Sequence, residues 1–259
     1  MSAPDYPDYV ARNVENWTES NAQYTGPNAR TAWAKDELAF GIFGTPEQTG
    51  EALGDVSGLD VVELGCGTAY ISARLARQGA RPVGVDPTPA QLATAREMQQ
   101  EFGLDFPLIE AVAESVPLPD ASFDLAVSEY GASIWADPEK WIPEAARLLR
   151  PGGKLVFLRN SIVSMLCMDL ESVTESLQRP QRDLRKHTWP DTGETEFHTP
   201  IGELIDILSA SGFALERLVE MYAADDAETH EYYKYVPAEW ARKWPAEELW
   251  TARLRPRSS

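Results

Sequence analysis

Residues Val61-Val62-Glu63-Leu64-Gly65-Cys66-Gly67-Thr68-Ala69 leave this chain few folds to choose from. A short β-branched run closes on a glutamate and then breaks into two glycines one residue apart. Tyr70–Arg77 follows, with Ile71 and Leu75 spaced to share one helix face. Strand, tight glycine turn and helix form the unit with which an α/β sheet builds a ligand site. The turn's N–H groups and the helix N-terminus both face the carboxyl end of the strand. Glycine is needed there because a Cβ would block close approach of a ligand to the backbone.

The same rhythm continues downstream. Asp60–Leu64, Arg81–Asp86, Phe106–Val112, Phe123–Ser128 and Lys154–Leu158 read as five strands. Pro87-Thr88-Pro89 opens a helix whose apolar face carries Leu92, Ala95, Met98 and Phe102, and Gly103 stops it. Asp137-Pro138 opens another, with Trp141, Ala145, Leu148 and Leu149 inward. Leu149-Arg150-Pro151-Gly152-Gly153 reads as a turn. Thr199-Pro200 begins a helix bearing Leu204, Ile205 and Leu208. Ala214–Tyr222 reads as a strand, and Leu249–Leu254 as a last, antiparallel one. Alternating strands and helices predict an α/β doubly wound sheet, mostly parallel and covered on both faces.

Two segments stand apart. Residues 1–55 are polar and aromatic and predict a helical cap or lid on a main domain spanning 56–259. Two short helices are expected, one on Val10, Val14 and Trp17, the other on Trp33, Leu38 and Ile42, joined by a turn at Thr25-Gly26-Pro27-Asn28. Residues about 161–199 predict an insertion after the fifth strand, over the sheet's carboxyl edge.

The 259 residues suffice for one large domain with a small cap. The net charge of −18 argues against nucleic acid and against an anionic membrane surface, both of which are held by Lys and Arg. Cys66 and Cys167 form neither a disulfide framework nor a zinc spacing, so no metal is expected. No apolar run reaches the ~20 residues of a membrane span, and no signal-peptide layout is present. A cytoplasmic protein, monomeric or homodimeric, is the expectation.

Glu63 and Asp86 close successive strands, and an acid at the second position commonly takes a ribose hydroxyl pair. A dinucleotide fingerprint would have its third glycine where Tyr70 stands, which weakens a nicotinamide oxidoreductase reading. The Gly-Lys-Ser/Thr of a P-loop is missing. What stands here, Glu63-x-Gly65-x-Gly67, resembles motif I of the class I S-adenosylmethionine (SAM) dependent methyltransferases, in their Rossmann-like, type-11-like small-molecule branch. The likeness extends over most of residues 55–160. Val85-Asp86-Pro87-Thr88 resembles the ribose-binding strand end, and Gln91 matches a position beside the adenine. Ala113-Glu114, before Val116-Pro117-Leu118, is similar to the adenine-recognition turn. Ser122–Glu129 resembles the fourth-strand motif, and Leu149–Gly153 the turn before the fifth strand.

The resemblance implies SAM as cofactor, S-adenosylhomocysteine as product, and roles for particular residues. The amides around Gly65, Cys66 and Gly67 would meet the methionine carboxylate, and Glu63 the ammonium. Asp86 would take the ribose, Glu114 and Ala113 the adenine. Pro87, Gln91 and Ser128 complete the expected cofactor set, with Tyr24 and Trp17 closing the site from the cap. Ala69 stands where the family often has a third glycine, and a helical backbone there would tolerate it.

Methyl transfer needs alignment and a dry site, with a base where the acceptor is a hydroxyl or amine. Candidate bases are Glu129 and Tyr130 after the fourth strand, and His187, His198 and His230 outside the motifs. Tyr130 and Trp135 are expected to line the acceptor, a small molecule whose reacting atom (O, N, S or C) the residues leave open. Trp33, Phe43, Trp189, Tyr232 and Tyr233 read as core or as the wall of a pocket for a flat molecule. Arg179, Arg182, Arg185 and Lys186 read as a solvated face or as an attractor for an acidic substrate. A protein or RNA methyltransferase and a non-catalytic SAM-binding protein are the alternatives. Ser128-Glu129-Tyr130-Gly131 stands where a base-amine methyltransferase would carry Asn/Asp-Pro-Pro-Tyr/Phe.

Overall fold

Residues 6–19 and 25–256 are described by a computed structural model. Three helices come first: α1 (Asp8–Glu19), α2 (Gly26–Ala34) and α3 (Pro46–Leu53). The alternating core runs β1 (Asp60–Leu64), α4 (Tyr70–Arg77), β2 (Arg81–Asp86), α5 (Pro89–Phe102), β3 (Leu108–Glu110), β4 (Phe123–Glu129), α6 (Gly131–Trp135), α7 (Pro138–Leu148) and β5 (Leu149–Asn160). Then follow α8 (Ile162–Cys167), a 3-10 turn (Gln181–Leu184), a small hairpin of β6 (His187–Thr188) and β7 (Thr195–Glu196), α9 (Ile201–Ala210), β8 (Phe213–Met221), α10 (Ala238–Ala241) and β9 (Glu247–Leu254).

The main sheet has the order β3-β2-β1-β4-β5-β9-β8. β3 through β5 pair in parallel, and β9 is antiparallel to both β5 and β8. The Rossmann-like doubly wound sheet with an antiparallel end is therefore as expected. Chain order reverses between β1 and β4, and at such a switch point the connections diverge to opposite faces and open a crevice.

Burial on both faces follows from the strand sequences. Val62 and Leu64 pack with Ala126, Phe157 and Trp250 on one face, while Val61 packs with Ile71, Leu125, Val127 and Val156 on the other. Neighbouring side chains point to opposite faces, so a run that is apolar at every position needs two covers. Trp141 meets Phe157 edge-on at 5.4 Å, and Phe157 stacks on Trp250 at 5.7 Å.

Four local expectations change. The cap holds three helices among the described residues, and Gly26-Pro27-Asn28 starts α2 rather than forming a turn, because proline's fixed φ suits a first helical turn. Leu38 and Ile42 are buried without being helical; Phe40 bridges Thr45, and α3 begins at Pro46. The turn at 149–153 lies inside β5: Leu149 pairs Phe123, then Lys154 pairs Leu125, so five residues advance against two while Gly152 takes φ +83°. Ala69 is left-handed, at φ 58° and ψ 29°, not helical. No described helix is long and apolar enough to cross a membrane.

Candidate functional site

The crevice at the switch point is built by backbone meeting backbone. Gly65 has φ +74°, and both its N–H and that of Cys66 donate to Val85 O at 2.8 and 2.9 Å. A Cβ on Gly65 would fall 2.5 Å from the Ala132 nitrogen, and one on Gly131 would fall 2.2 Å from Gly65 O. The turns after β1 and β4 therefore touch directly. The Asp86 carboxylate accepts from Gly67 N and Thr88 N, each at 2.8 Å. Glu63 accepts from Ser72 N at 2.8 Å and from the Ser72 hydroxyl at 2.5 Å. Burial pushes Glu63 up to about 8 and raises Asp86 as well.

The loop amides are thus largely engaged within the protein. Gly65 and Cys66 hold β2, Gly67 holds Asp86, and Ala69 N donates to Cys66 O at 2.8 Å. This differs from the picture of free amides awaiting a carboxylate, since the Gly67 amide already donates to Asp86.

The cleft encloses about 970 Å³, counting its open mouth. Glu63, Gly65, Cys66, Gly67, Asp86, Pro87, Gln91, Ala113, Glu114, Glu129, Tyr130 and Trp135 lie in its wall. Thr68 Oγ1 and Gln91 Oε1 are buried there without a hydrogen-bond partner among the described residues. Four carboxylates and no Lys, Arg or His line the cleft among those residues.

α1 forms the outer wall with Val10, Asn13, Val14 and Trp17. Tyr9 donates to Glu114 at 2.5 Å, Asn13 exchanges two 2.9 Å bonds with Thr195, and Asn16 donates to Thr192 O at 3.0 Å. Trp17 meets Trp135 edge-on at 5.3 Å. Pattern reading missed Tyr9, Asn13 and Asn16 because buried polar residues on a cap helix look like its solvated face.

At the end of β4 the chain turns sharply. Tyr130 sits at φ 56°, ψ −37°, a conformation that costs ~1–3 kcal/mol and persists only where the surroundings impose it. Its hydroxyl donates to Glu247, which also accepts from Ile42 N at 2.8 Å. Glu129 accepts from the Tyr70 hydroxyl and from Gly41 N at 2.9 Å. Burial raises all three groups, Glu247 to about 7, and Glu247 further raises Tyr130. Tyr130 is therefore a proton donor near neutral pH, and the carboxylates are the acceptors. Glu247 was not among the sequence candidates; the available signal was a Glu247-Glu248 pair opening an apolar strand.

Residues 62–157 match a family model described as a methyltransferase domain. The demethylmenaquinone methyltransferase of Thermus thermophilus is 38% identical over 100 residues, 38% of this chain and 46% of that protein. The phosphatidylethanolamine N-methyltransferase of Cereibacter sphaeroides is 31% identical over 162 residues, 60% of this chain and 77% of that protein. The chain belongs to the class I SAM-dependent methyltransferase family. A crystal structure of a SAM-dependent methyltransferase from Mesorhizobium loti superposes with a TM-score of 0.62 at 26% identity, covering 78% of this chain and 94% of that one. The match spans less than half the length of the Thermus relative.

A second cleft of this methyltransferase family member, about 1280 Å³, shares Trp17, Tyr130 and Trp135 with the first. The three candidate histidines line neither cleft. His198 is buried against Glu196 at 2.7 Å, His187 lies 2.9 Å from Arg179, and His230 accepts from Tyr232 N. Each completes local packing of the late segments. Ser128 is also placed differently from expectation: fully buried behind the turn, it donates to Leu64 O at 2.8 Å and accepts from Ser133 N. Tyr24 lies outside the described residues. The basic quartet disperses: Arg179 bonds Met168 O, Arg185 pairs Glu139 and Glu203, and Lys186 stands over Tyr9. Trp33 is buried in the core and Phe43 packs, partly buried, against its edge, while Trp189, Tyr232 and Tyr233 line the second cleft.

Proposed function

We propose that the chain transfers the methyl group of SAM to a small-molecule acceptor. The observation that carries this reading is the acidic lining of the first cleft: four carboxyl side chains and no lining cation among the described residues. SAM bears an ammonium and a sulfonium against a single carboxylate, so it suits such a wall. A pyrophosphate dinucleotide, which needs donors and positive charge, does not.

Asp86 would hold the ribose hydroxyls and Glu63 the ammonium. Gln91, Ala113 and Glu114 would frame the adenine, and Thr68 and Gln91 would find partners for their buried oxygens. Bound there, SAM supplies an electrophilic methyl carbon on a sulfonium whose charge disperses as the bond breaks. The chain's own work is alignment and exclusion of water by Trp17, Tyr130 and Trp135. Glu129 and Glu247, raised by burial, are the groups able to take a proton from the acceptor, Glu247 through Tyr130. In this reading residues 1–55 act as the cap and 161–199 as the insertion that walls the acceptor side. Two relatives are named for demethylmenaquinone and phosphatidylethanolamine; both are small molecules, and this supports the acceptor class only.

Titration calorimetry with SAM and S-adenosylhomocysteine tests the reading. Micromolar binding is expected, weakened at least about thirtyfold in Asp86→Ala, which loses charge-assisted hydrogen bonds. Failure of the folded protein to bind either compound would overturn it. A label delivered only to macromolecules would point instead to a protein or RNA methyltransferase.

Proton linkage gives a second expected result. Because Glu63 sits near 8, it is largely protonated at neutral pH, and an arriving ammonium favours its ionised form. Affinity should therefore rise with pH toward 8, by up to about tenfold per unit if one proton leaves on binding. Calorimetry in buffers of different ionisation enthalpy checks this, and Glu63→Gln should flatten the dependence.

A further inference from the structure

We infer that the second cleft is the acceptor pocket and that its ligand is a positively charged molecule with a flat apolar body. The inference rests on the proposed cofactor reading and adds the acceptor's chemistry. Adjacency is the first ground. Trp17, Tyr130 and Trp135 line both clefts, so the two adjoin at the strained turn after β4.

The walls are the second ground. Besides those three, Trp189, Tyr233 and Tyr235 face the cleft. Aromatic faces carry negative charge density and hold cations within about 6 Å of the ring centre. The protein already uses this wall so: the Arg179 guanidinium lies 5.1 Å over the Trp189 ring.

Charge is the third. Asp169, Glu171, Asp191, Glu194 and Glu196 line the cleft, and no Lys, Arg or His does so among the described residues. Neighbouring basic groups are engaged elsewhere or with the wall itself: Arg12 with Thr192 O and Glu15, Arg179 with Met168 O and His187, and His198 with Glu196 at 2.7 Å. Burial, and then the neighbouring Glu196 and Asp191, raise Glu194, so a bound cation would relieve repulsion already present. A carboxylate or phosphate acceptor would meet that repulsion instead.

The fourth ground is Asn160, at the end of β5. It is 6% exposed and its side chain lines the cleft. Asn160 can both donate and accept, so the flat body is expected to carry a hydroxyl, carbonyl or ring nitrogen at that point.

Three probes sharing one phenethyl body separate the terms: phenethyltrimethylammonium, phenethyl alcohol and 3-phenylpropionate. They are titrated calorimetrically into the full chain saturated with S-adenosylhomocysteine. The ammonium should bind roughly tenfold tighter than the alcohol, with the carboxylate weakest. Glu194→Gln should cut ammonium affinity about fivefold while S-adenosylhomocysteine affinity stays unchanged. Asp191→Asn, at an exposed position, carries the same test should that variant fail to fold. Equal binding of the three probes, tighter binding of the carboxylate, or an ammonium affinity untouched by both variants would overturn the inference. A lysine peptide binding where the probes do not would also overturn it. If S-adenosylhomocysteine itself fails to bind, the cofactor reading fails separately, before any probe is added.

Discussion

Alanine at Gly65 is expected to lower the melting temperature by roughly 10 °C and to abolish S-adenosylhomocysteine binding, whereas alanine at Gly67 costs binding with a drop of only a few degrees. The two glycines look alike in sequence, one residue apart, and both have positive φ, +74° and +53°. Their surroundings differ. A Cβ on Gly65 would meet the Ala132 nitrogen at 2.5 Å and the Gly131 Cα at 2.6 Å. Those atoms are backbone and cannot swing aside, so the turns after β1 and β4 must part. On the scale of severe core and backbone lesions this is about 3–5 kcal/mol. A Cβ on Gly67 finds nothing nearer than Gln91 Oε1 at 3.8 Å and projects toward the cleft. It pays only the left-handed penalty of ~1–2 kcal/mol, and the chain already tolerates Ala69 in that region. Calorimetric melting and ligand titration of both variants check this. A Gly65→Ala protein melting beside the wild type would show that the two turns are not in rigid contact.

Arg159→Met is expected to destabilise the fold by about 3–5 kcal/mol, and Arg159→Met with Glu248→Leu by less. Arg159 and Glu248 are paired across β5 and β9 and almost wholly excluded from water. The Arg159 Nε lies 3.0 Å from Glu248 Oε2, its Nη1 donates to Thr199 O at 2.7 Å, and its guanidinium lies 5.4 Å over the Trp250 ring. Removing the cation strands a buried carboxylate; removing both charges relieves that penalty but leaves Thr199 O, Ile162 N and Trp250 Nε1 without their partners, so only part of the loss is recovered. Denaturant unfolding of both variants measures the difference. A double variant as unstable as Arg159→Met would mean that packing, not stranded charge, dominates. The pair adjoins Asn160 and Glu247, so its loss should also weaken the phenethyl ammonium probe through a loosened acceptor wall.

Legibility differed by type of element. Strands and core helices were readable because burial on two faces demands uninterrupted Val and Leu runs, and because Pro89 and Gly103 punctuate a helix chemically. The cap was less readable: Leu38 and Ile42 are buried in a non-helical loop whose Gly41 and Ile42 amides go to Glu129 and Glu247. Periodicity cannot register a segment held by side chains distant in sequence. Ala69 failed for a related reason, since the turn geometry that closes on β2 sets its φ.

Residue order alone determined the doubly wound sheet and the acids at the ends of β1 and β2, because hydrophobic period and glycine placement act locally. Tertiary structure decided which of many polar side chains share the clefts. It set the histidines aside, made Ser128 a buried pin, and brought Glu247 to Tyr130 across 117 positions of chain. Such meetings depend on strand order and on the close approach of two turns, and neither leaves a periodic mark in the sequence.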